Sequence, residues 1–270
     1  MRKNLKLIVL AFIVSAFASC TMAPITGRPQ LKLVSDEKVA ADSAAGYRQY
    51  ISELSKNSLL VNNTADGKKL KAVGLKIASA VENYLNQNGM SNKVKNLDWE
   101  FNLVKSNEIN AFALPGGKIA FNTAIMPVLA TEGGIAFVMG HEIGHVIGGH
   151  HAEGKSRETA AGIVMFGKEI ADVLTKGATS VISDDLVGTG LSLGLLKFNR
   201  TQEYEADKYG MIFMAMAGYD PSEAIKVQER MMALEGNSNP PEMLSTHPSS
   251  SKRVEAMKKF LPEAMKYYKK

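Results

Sequence analysis

Gly140-His141-Glu142-Ile143-Gly144-His145 carries two histidines four residues apart, with a carboxylate directly after the first. On a helix this spacing sets both imidazoles on one face, a turn apart. His141 and His145 can then each give a nitrogen to one zinc ion. Glu142, about 100° round the helix, reaches a bound water rather than the metal. The surrounding run, Glu132 to His151, reads as one helix, with Ile135, Val138, Val146 and Ile147 as apolar positions and no proline to interrupt it. Gly140, Gly144 and Gly148 recur every fourth residue. Each costs such a helix about 1 kcal/mol relative to alanine, so the stripe predicts a second segment packed close against it.

The chain has 270 residues, a formal charge of +5 and one cysteine. Arg2, Lys3 and Lys6 precede an apolar run from Leu7 to Phe17, too short for a comfortable membrane span and suited to an export signal. The run ends in Ala18-Ser19-Cys20, which resembles the lipobox of bacterial lipoproteins except for Phe17 at its first position. Cys20 would then become a lipidated N-terminus. An ordinary cleaved signal and an uncleaved anchor are the other readings. A single cysteine leaves no intramolecular disulfide, so stability must come from a core that about 250 residues can supply as one domain. Removing residues 1–19 takes away three positive charges and no acid, so +5 becomes +2. That is no nucleic-acid footprint.

Past Cys20, Pro24-Ile25-Thr26-Gly27-Arg28-Pro29-Gln30 reads as an extended or turning tether, giving the divisions 1–19 signal, 20–34 tether and 35–270 domain. Ser35 is a fair N-cap for a helix from Asp36 to about Lys56. A second helix is expected from about Asp66 to Asn86, with Leu70, Val73, Ile77, Val81 and Leu85 on one stripe. From Leu97 the period changes to two: Trp99, Phe101 and Leu103 alternate against Asp98, Glu100 and Asn102, as in a strand with one buried face. A hairpin of Ala111–Leu114 and Lys118–Asn122, joined by Pro115-Gly116-Gly117, follows. It is either the sheet edge beside the site, where an extended peptide could add as a strand, or an ordinary structural hairpin. Residues 153–197 are glycine-rich, with a helix expected over Arg157–Leu174. A mobile cover, irregular packing and contact with a membrane surface are all compatible with them.

A catalytic zinc needs a third protein ligand and an open position. Within Glu203-Tyr204-Glu205-Ala206-Asp207, on a helix expected from Arg200 to Ala217, Glu203 and Asp207 are i and i+4 and share a face, while Glu205 points elsewhere. Glu203 is the candidate ligand, and Asp207 a support that accepts a hydrogen bond from a ligating imidazole. The plain alternative is two solvated acids balancing Arg200 and Lys208.

Four stretches together resemble the gluzincin metallopeptidases of the HtpX and CAAX-prenyl-protease kind, and most closely their small exported lipoprotein branch. They are Asn110–Gly117, His141–His145, Glu203–Asp207 with Gly210 beyond, and Thr246-His247-Pro248-Ser249 followed by Arg253. The resemblance implies an α+β fold: a mostly helical zincin-like domain with a small sheet beside the active-site helix. It also implies one Zn²⁺ on His141, His145 and Glu203, Glu142 as general base, and Asp207 in support. The implied activity is cleavage of unfolded or misassembled envelope proteins by an enzyme anchored through Cys20, expected on the outer membrane facing the periplasm. By itself His247 reads as a plain loop histidine; the resemblance places it over the zinc, either as an oxyanion donor or as a regulatory ligand that leaves when substrate arrives. Arg253 would orient that loop, pair with Asp207, or sit at the surface. His150 and His151 are expected to be solvated at a helix end. The rival functions are a chaperone-like protein that keeps zinc structurally and holds chains uncut, and a zinc hydrolase of non-peptide substrates.

Overall fold

Polar N-caps open the main helices, each satisfying an N–H that the first turn leaves unpaired. Ser35 accepts from Lys38 at α1 (Asp36–Lys56), Thr64 from Gly67 at α2 (Ala65–Gln87), and Thr131 from Gly134 at α3 (Glu132–Ile147). Asn199 and Gln202 form a reciprocal capping box at α4 (Arg200–Met216). The chain continues through α5 (Ser222–Glu235), the short α6 (Glu242–Thr246) and α7 (Ser251–Ala264), which Ser250 caps. The structure is a computed structural model that describes residues 20–161, 197–235, 241–248 and 250–269. The apolar leader, most of the glycine-rich 153–197 segment and Ser249 lie outside the described residues.

The domain is α+β. Two short strands, β1 (Cys20–Met22) and β2 (Pro29–Leu31), pair antiparallel. The main sheet has the order β3-β5-β4, with β3 (Glu100–Val104) parallel to β5 (Lys118–Asn122) and β4 (Ala111–Leu114) antiparallel to it. The hairpin between β4 and β5 turns through Gly116 and Gly117, both at positive φ, as its sequence predicts. The backbone around residues 59–61 covers the outer side of β3, with Val61 N–H donating to Leu103 and Lys105 N–H to Leu59. β4 is therefore the edge strand among the described residues.

The sheet is buried more deeply than alternation in β3 suggests. Phe101 and Leu103 join the main core with α2 and α3, but Asn102 and Val104 are buried too. The cause is α1, which covers the other face: Val104 and Ala120 pack with Leu54, and Asn102 donates to the Tyr47 hydroxyl at 2.8 Å. Asn62 donates to the Asn102 carbonyl at 2.6 Å, so the buried amide keeps its partners.

α3 is apolar or small around nearly its whole circumference, and all its residues but Glu132 and Val146 are buried. Its glycine stripe lets α4 approach. A Cβ at Gly140 would lie 3.1 Å from Gly210 Cα, and one at Gly144 2.7 Å from Tyr209 Cβ. The helix does not continue to His151 as its proline-free run suggests. It ends at Ile147, Gly149 takes φ +70°, a value glycine adopts without strain, and a new helix begins at residue 150 and is described to 161.

The 20–34 segment packs against the rest of the chain. Ala23 and Gln30 are buried, Ile25 N–H donates to the Tyr209 hydroxyl at 3.1 Å, and Gln30 donates to the Gly148 carbonyl at 2.6 Å. The side chain of Gln30 thereby satisfies the carbonyl freed where α3 ends.

Candidate metal centre

α3 and α4 cross with little between their backbones, so short and medium side chains from both reach one point. His141 and His145 project from α3 and Glu203 from α4, and His247 enters from the C-terminal end of α6. One ligand atom from each of these four buried residues lies within 4.8 Å of the others. His141 Nε2 and His145 Nε2 are 3.2 Å apart. Glu203 carboxylate oxygens stand 3.6 Å from the first and 3.5 Å from the second. His247 Nδ1 is 3.1 Å from Glu203 Oε1 and 3.4 Å from His141 Nε2.

The outer nitrogens of the two α3 histidines fix where their protons sit. His141 Nδ1 is 3.0 Å from Asp207 Oδ1, a bent approach that still holds a proton on Nδ1 opposite the carboxylate. His145 Nδ1 lies 2.9 Å from His150 Nδ1, and His150 Nε2 lies 3.0 Å from Glu205 Oε2. Glu205 can only accept, so His150 donates from Nε2 and accepts at Nδ1, and His145 donates from Nδ1. Both Nε2 atoms are thus left as lone pairs pointing at each other across 3.2 Å beside a carboxylate. That arrangement is repulsive unless a cation stands between them, and two imidazole nitrogens with one carboxylate are a donor set for zinc. The residues fit the metal.

The charges around the site are paired. Burial works to raise the Asp207 carboxyl, but Arg253 and His141 bring it down to about 2. Arg253 donates from Nε to Asp207 at 2.8 Å and from Nη2 at 2.6 Å, and its Nη1 stands 2.6 Å from Glu203 Oε2. Burial alone would raise Glu203; Arg253 and then His247 hold it below the ordinary glutamate value. His145 is pushed far below the ordinary histidine value by burial and by the neighbouring histidines, and is a neutral imidazole. Glu142 moves the other way: burial raises it against the pull of His247 and His141. The backbone N–H of Ala113, in β4, hydrogen-bonds this carboxylate, and among the described residues its Oε1 has no hydrogen-bond partner, lying 3.6 Å from His247 Nε2. The edge strand and Glu142 thus meet at the site.

His141, Glu142, His145, Glu203, Asp207, His247 and Arg253 are brought together as one cluster. Cys20 is the first residue of β1. Of the three roles weighed for Arg253, the surface one is excluded by its burial. His150 and His151 correct the expectation of solvated histidines, since both are buried. The break at Gly148-Gly149 turns His150 back beneath His145, and the doublet of glycines was the local signal for it. Phe198 went unnoticed in the sequence; its ring stacks on His145 at a centroid distance of 3.8 Å. Arg28 and Glu153, also unremarked, close a network with Glu205.

Comparison with known proteins places this geometry. Residues 72–261 match peptidase family M48. The mitochondrial metalloendopeptidase OMA1 of Schizosaccharomyces pombe is 31% identical over 92% of this chain and 68% of its own length. The human metalloendopeptidase OMA1 is 29% identical over 95% of this chain and 49% of its own. The beta-barrel assembly-enhancing protease of Escherichia coli K12 is 28% identical over 76% of this chain and 41% of its own length. The chain therefore spans from under half to about two thirds of these relatives, which are not of the HtpX or CAAX-prenyl-protease kind by name. With a matched region that contains His141 through Arg253 and a cluster able to hold one metal ion, the chain belongs to peptidase family M48 and is a zinc-dependent metallopeptidase.

Proposed function

We propose that this chain is an endopeptidase in which His141, His145 and Glu203 hold the zinc and Glu142 is the general base. The observation that supports this most is a buried Glu142 oxygen, without a hydrogen-bond partner among the described residues, beside a converging two-histidine, one-carboxylate donor set. A zinc ion bound there supplies Lewis acidity, polarising the scissile carbonyl and activating water. Glu142 takes the proton of the attacking water and returns it to the leaving amine, a task suited to a carboxyl that burial has made more basic. Asp207, itself gripped by Arg253, holds His141 with its Nε2 facing inward. An extended substrate adds as a strand on β4, whose Ala113 N–H already reaches Glu142. His247 serves as a regulatory ligand that leaves when substrate arrives, with an oxyanion role as its rival; its Nδ1 contact to Glu203 favours the first.

For the setting, we place the chain with the small exported lipoproteins resembling the HtpX and CAAX-prenyl-protease kind. Residues 1–19 are its signal, 20–34 the lead-in from a lipid-bearing Cys20, and 35–270 the peptidase domain. Among the described residues no single helix is long and apolar enough to cross a membrane, and the pair Thr123–Leu129 with α3 that passes such a test together is bent by 117°. The protein would sit on the outer membrane, facing the periplasm, and cut unfolded or misassembled envelope proteins. The name of the Escherichia coli relative, a beta-barrel assembly-enhancing protease, supports that substrate class. The test is incubation of the purified protein with unfolded casein, with and without a chelator. Cleavage that stops on chelation and returns with zinc is expected. Casein held but uncut, with zinc present, would favour a chaperone-like protein instead.

A further inference from the structure

The two α3 histidines are supported differently. Asp207 stands directly against His141, whereas the acid serving His145 is one imidazole further away. Glu205 is buried, and Arg28 grips it with Nε at 3.1 Å from both oxygens and Nη2 at 3.0 Å from Oε2. Thr26 also donates to Glu205, and Arg28 donates to Glu153 at 2.9 and 2.7 Å. Thr26 and Arg28 lie in the turn between β1 and β2, 177 residues in sequence from Glu205 in the case of Arg28. The route from this turn to the metal centre is continuous: Arg28 to Glu205, Glu205 to His150, His150 to His145.

A second observation shows that the path is built for. His150 can lie under His145 only because the chain reverses at Gly149, and because Gly148 has no side chain. A Cβ at Gly148 would stand 2.7 Å from His150 Nε2, the atom that donates to Glu205. Gln30, two residues after Arg28, closes the same break by donating to the Gly148 carbonyl. A buried neutral imidazole is by itself an ambiguous partner, since either nitrogen can carry the proton. A carboxylate at its far end removes the ambiguity.

We propose that Arg28, Glu205 and His150 form a positioning relay that holds His145 in the tautomer and orientation that binds metal. The β1–β2 hairpin is thereby a working part of the metal centre. This rests on the reading of His145 as a zinc ligand. Arg28 is a positioning residue: it fixes Glu205, which makes His150 an acceptor at Nδ1, which makes His145 a donor there and leaves Nε2 free. Orienting partners of this kind are typically worth about ten- to a hundredfold in metal affinity.

The experiment is zinc titration of the full-length apoprotein against a chromophoric chelator, with the visible spectrum of the Co²⁺-substituted protein as second readout. His145→Ala, Glu205→Gln, Arg28→Met and Arg28→Lys are compared, each confirmed folded by circular dichroism. Glu205→Gln keeps the shape, so a folding failure of Arg28→Met does not remove the test. The expected result is a Kd raised at least tenfold in Glu205→Gln and Arg28→Met, an altered Co²⁺ spectrum in both, and partial recovery in Arg28→Lys. If His145→Ala loses zinc while Glu205→Gln and Arg28→Met bind it as the parent does, the relay is overturned and the ligand reading stands. If His145→Ala keeps full zinc affinity, the ligand reading falls and the relay with it. Variants that only melt earlier, with Kd and spectrum unmoved, reduce the network to structural support and overturn the proposal.

Discussion

Gly144→Ala is the sharpest probe of how the two ligand-bearing helices are held. The added Cβ would stand 2.7 Å from Tyr209 Cβ, 3.2 Å from the Ala206 carbonyl oxygen and 3.3 Å from Ala206 Cα. None of these is the free end of a flexible side chain. Ordinary contact begins at 3.4 Å, so relief requires α3 and α4 to part locally by 3.4 − 2.7, or about 0.7 Å. Gly144 directly precedes His145, and Ala206 lies between Glu203 and Asp207, so the parting falls at the level of the metal. Metal–ligand distances tolerate only about 0.2 Å. Overpacking costs about 1–3 kcal/mol, partly offset by the ~1 kcal/mol that alanine gains over glycine within a helix. The variant should therefore fold, with a melting temperature lowered by at most about 8 °C in a domain of this size. Its zinc Kd should rise at least tenfold, equivalent to about 1.4 kcal/mol. Chelator competition on the apoprotein measures the affinity and calorimetry with chelator present measures the fold. Gly133→Ala in the same helix is the control, because its Cβ meets side chains away from the metal, Glu223 Cγ at 2.9 Å and Cβ at 3.2 Å and Thr131 Oγ1 at 3.6 Å, and no backbone of α4. Unchanged zinc affinity in Gly144→Ala would refute the claim that this approach sets the metal geometry.

His247→Ala, at equal zinc occupancy, should cleave unfolded substrate and itself faster than the parent; a fall of about a hundredfold would assign the oxyanion role instead. Cys20→Ala should leave the membrane fraction, and mass spectrometry of the parent N-terminus should find lipid on Cys20; an unmodified mature Cys20 would end the lipoprotein reading. Acid should act through Glu153, where burial raises the carboxyl but Arg28 and Arg157 pull it down to about 2 from an ordinary 4.5. A depressed carboxyl stabilises the fold fully above 4.5 and loses that contribution as pH falls toward 2. In zinc-free protein the stability lead of the parent over Glu153→Gln should shrink across that window; a lead independent of pH would refute it.

What was legible in the sequence was local. The i, i+4 spacing of His141 and His145, and again of Glu203 and Asp207, sets side chains on one helix face whatever surrounds them. The cap at Ser35 and the glycine hairpin were equally readable, because a capping side chain and a positive φ act within a few residues. The glycine stripe announced a close partner without naming it, since any smooth helix would have served. Where the sequence misled, tertiary contact outweighed local pattern. The end of α3 at Ile147 is set where Gln30 and His150 need the chain to turn, although no proline interrupts the run to His151. Asn102 has a polar side chain on a buried face because Tyr47 and Asn62 satisfy it from distant elements. Arg28 sits in a stretch whose prolines and glycine suggest only a tether, and no periodicity links it to an acid on α4.

Glu142→Gln tests the central claim most directly, because the amide keeps the shape of the side chain and removes the base. The measurement is zinc content and casein cleavage on the same purified sample. One zinc per chain with hydrolysis lowered by a factor of about a hundred or more is the predicted result. Cleavage at the parent rate with zinc in place would contradict the assignment of Glu142, and with it the mechanism.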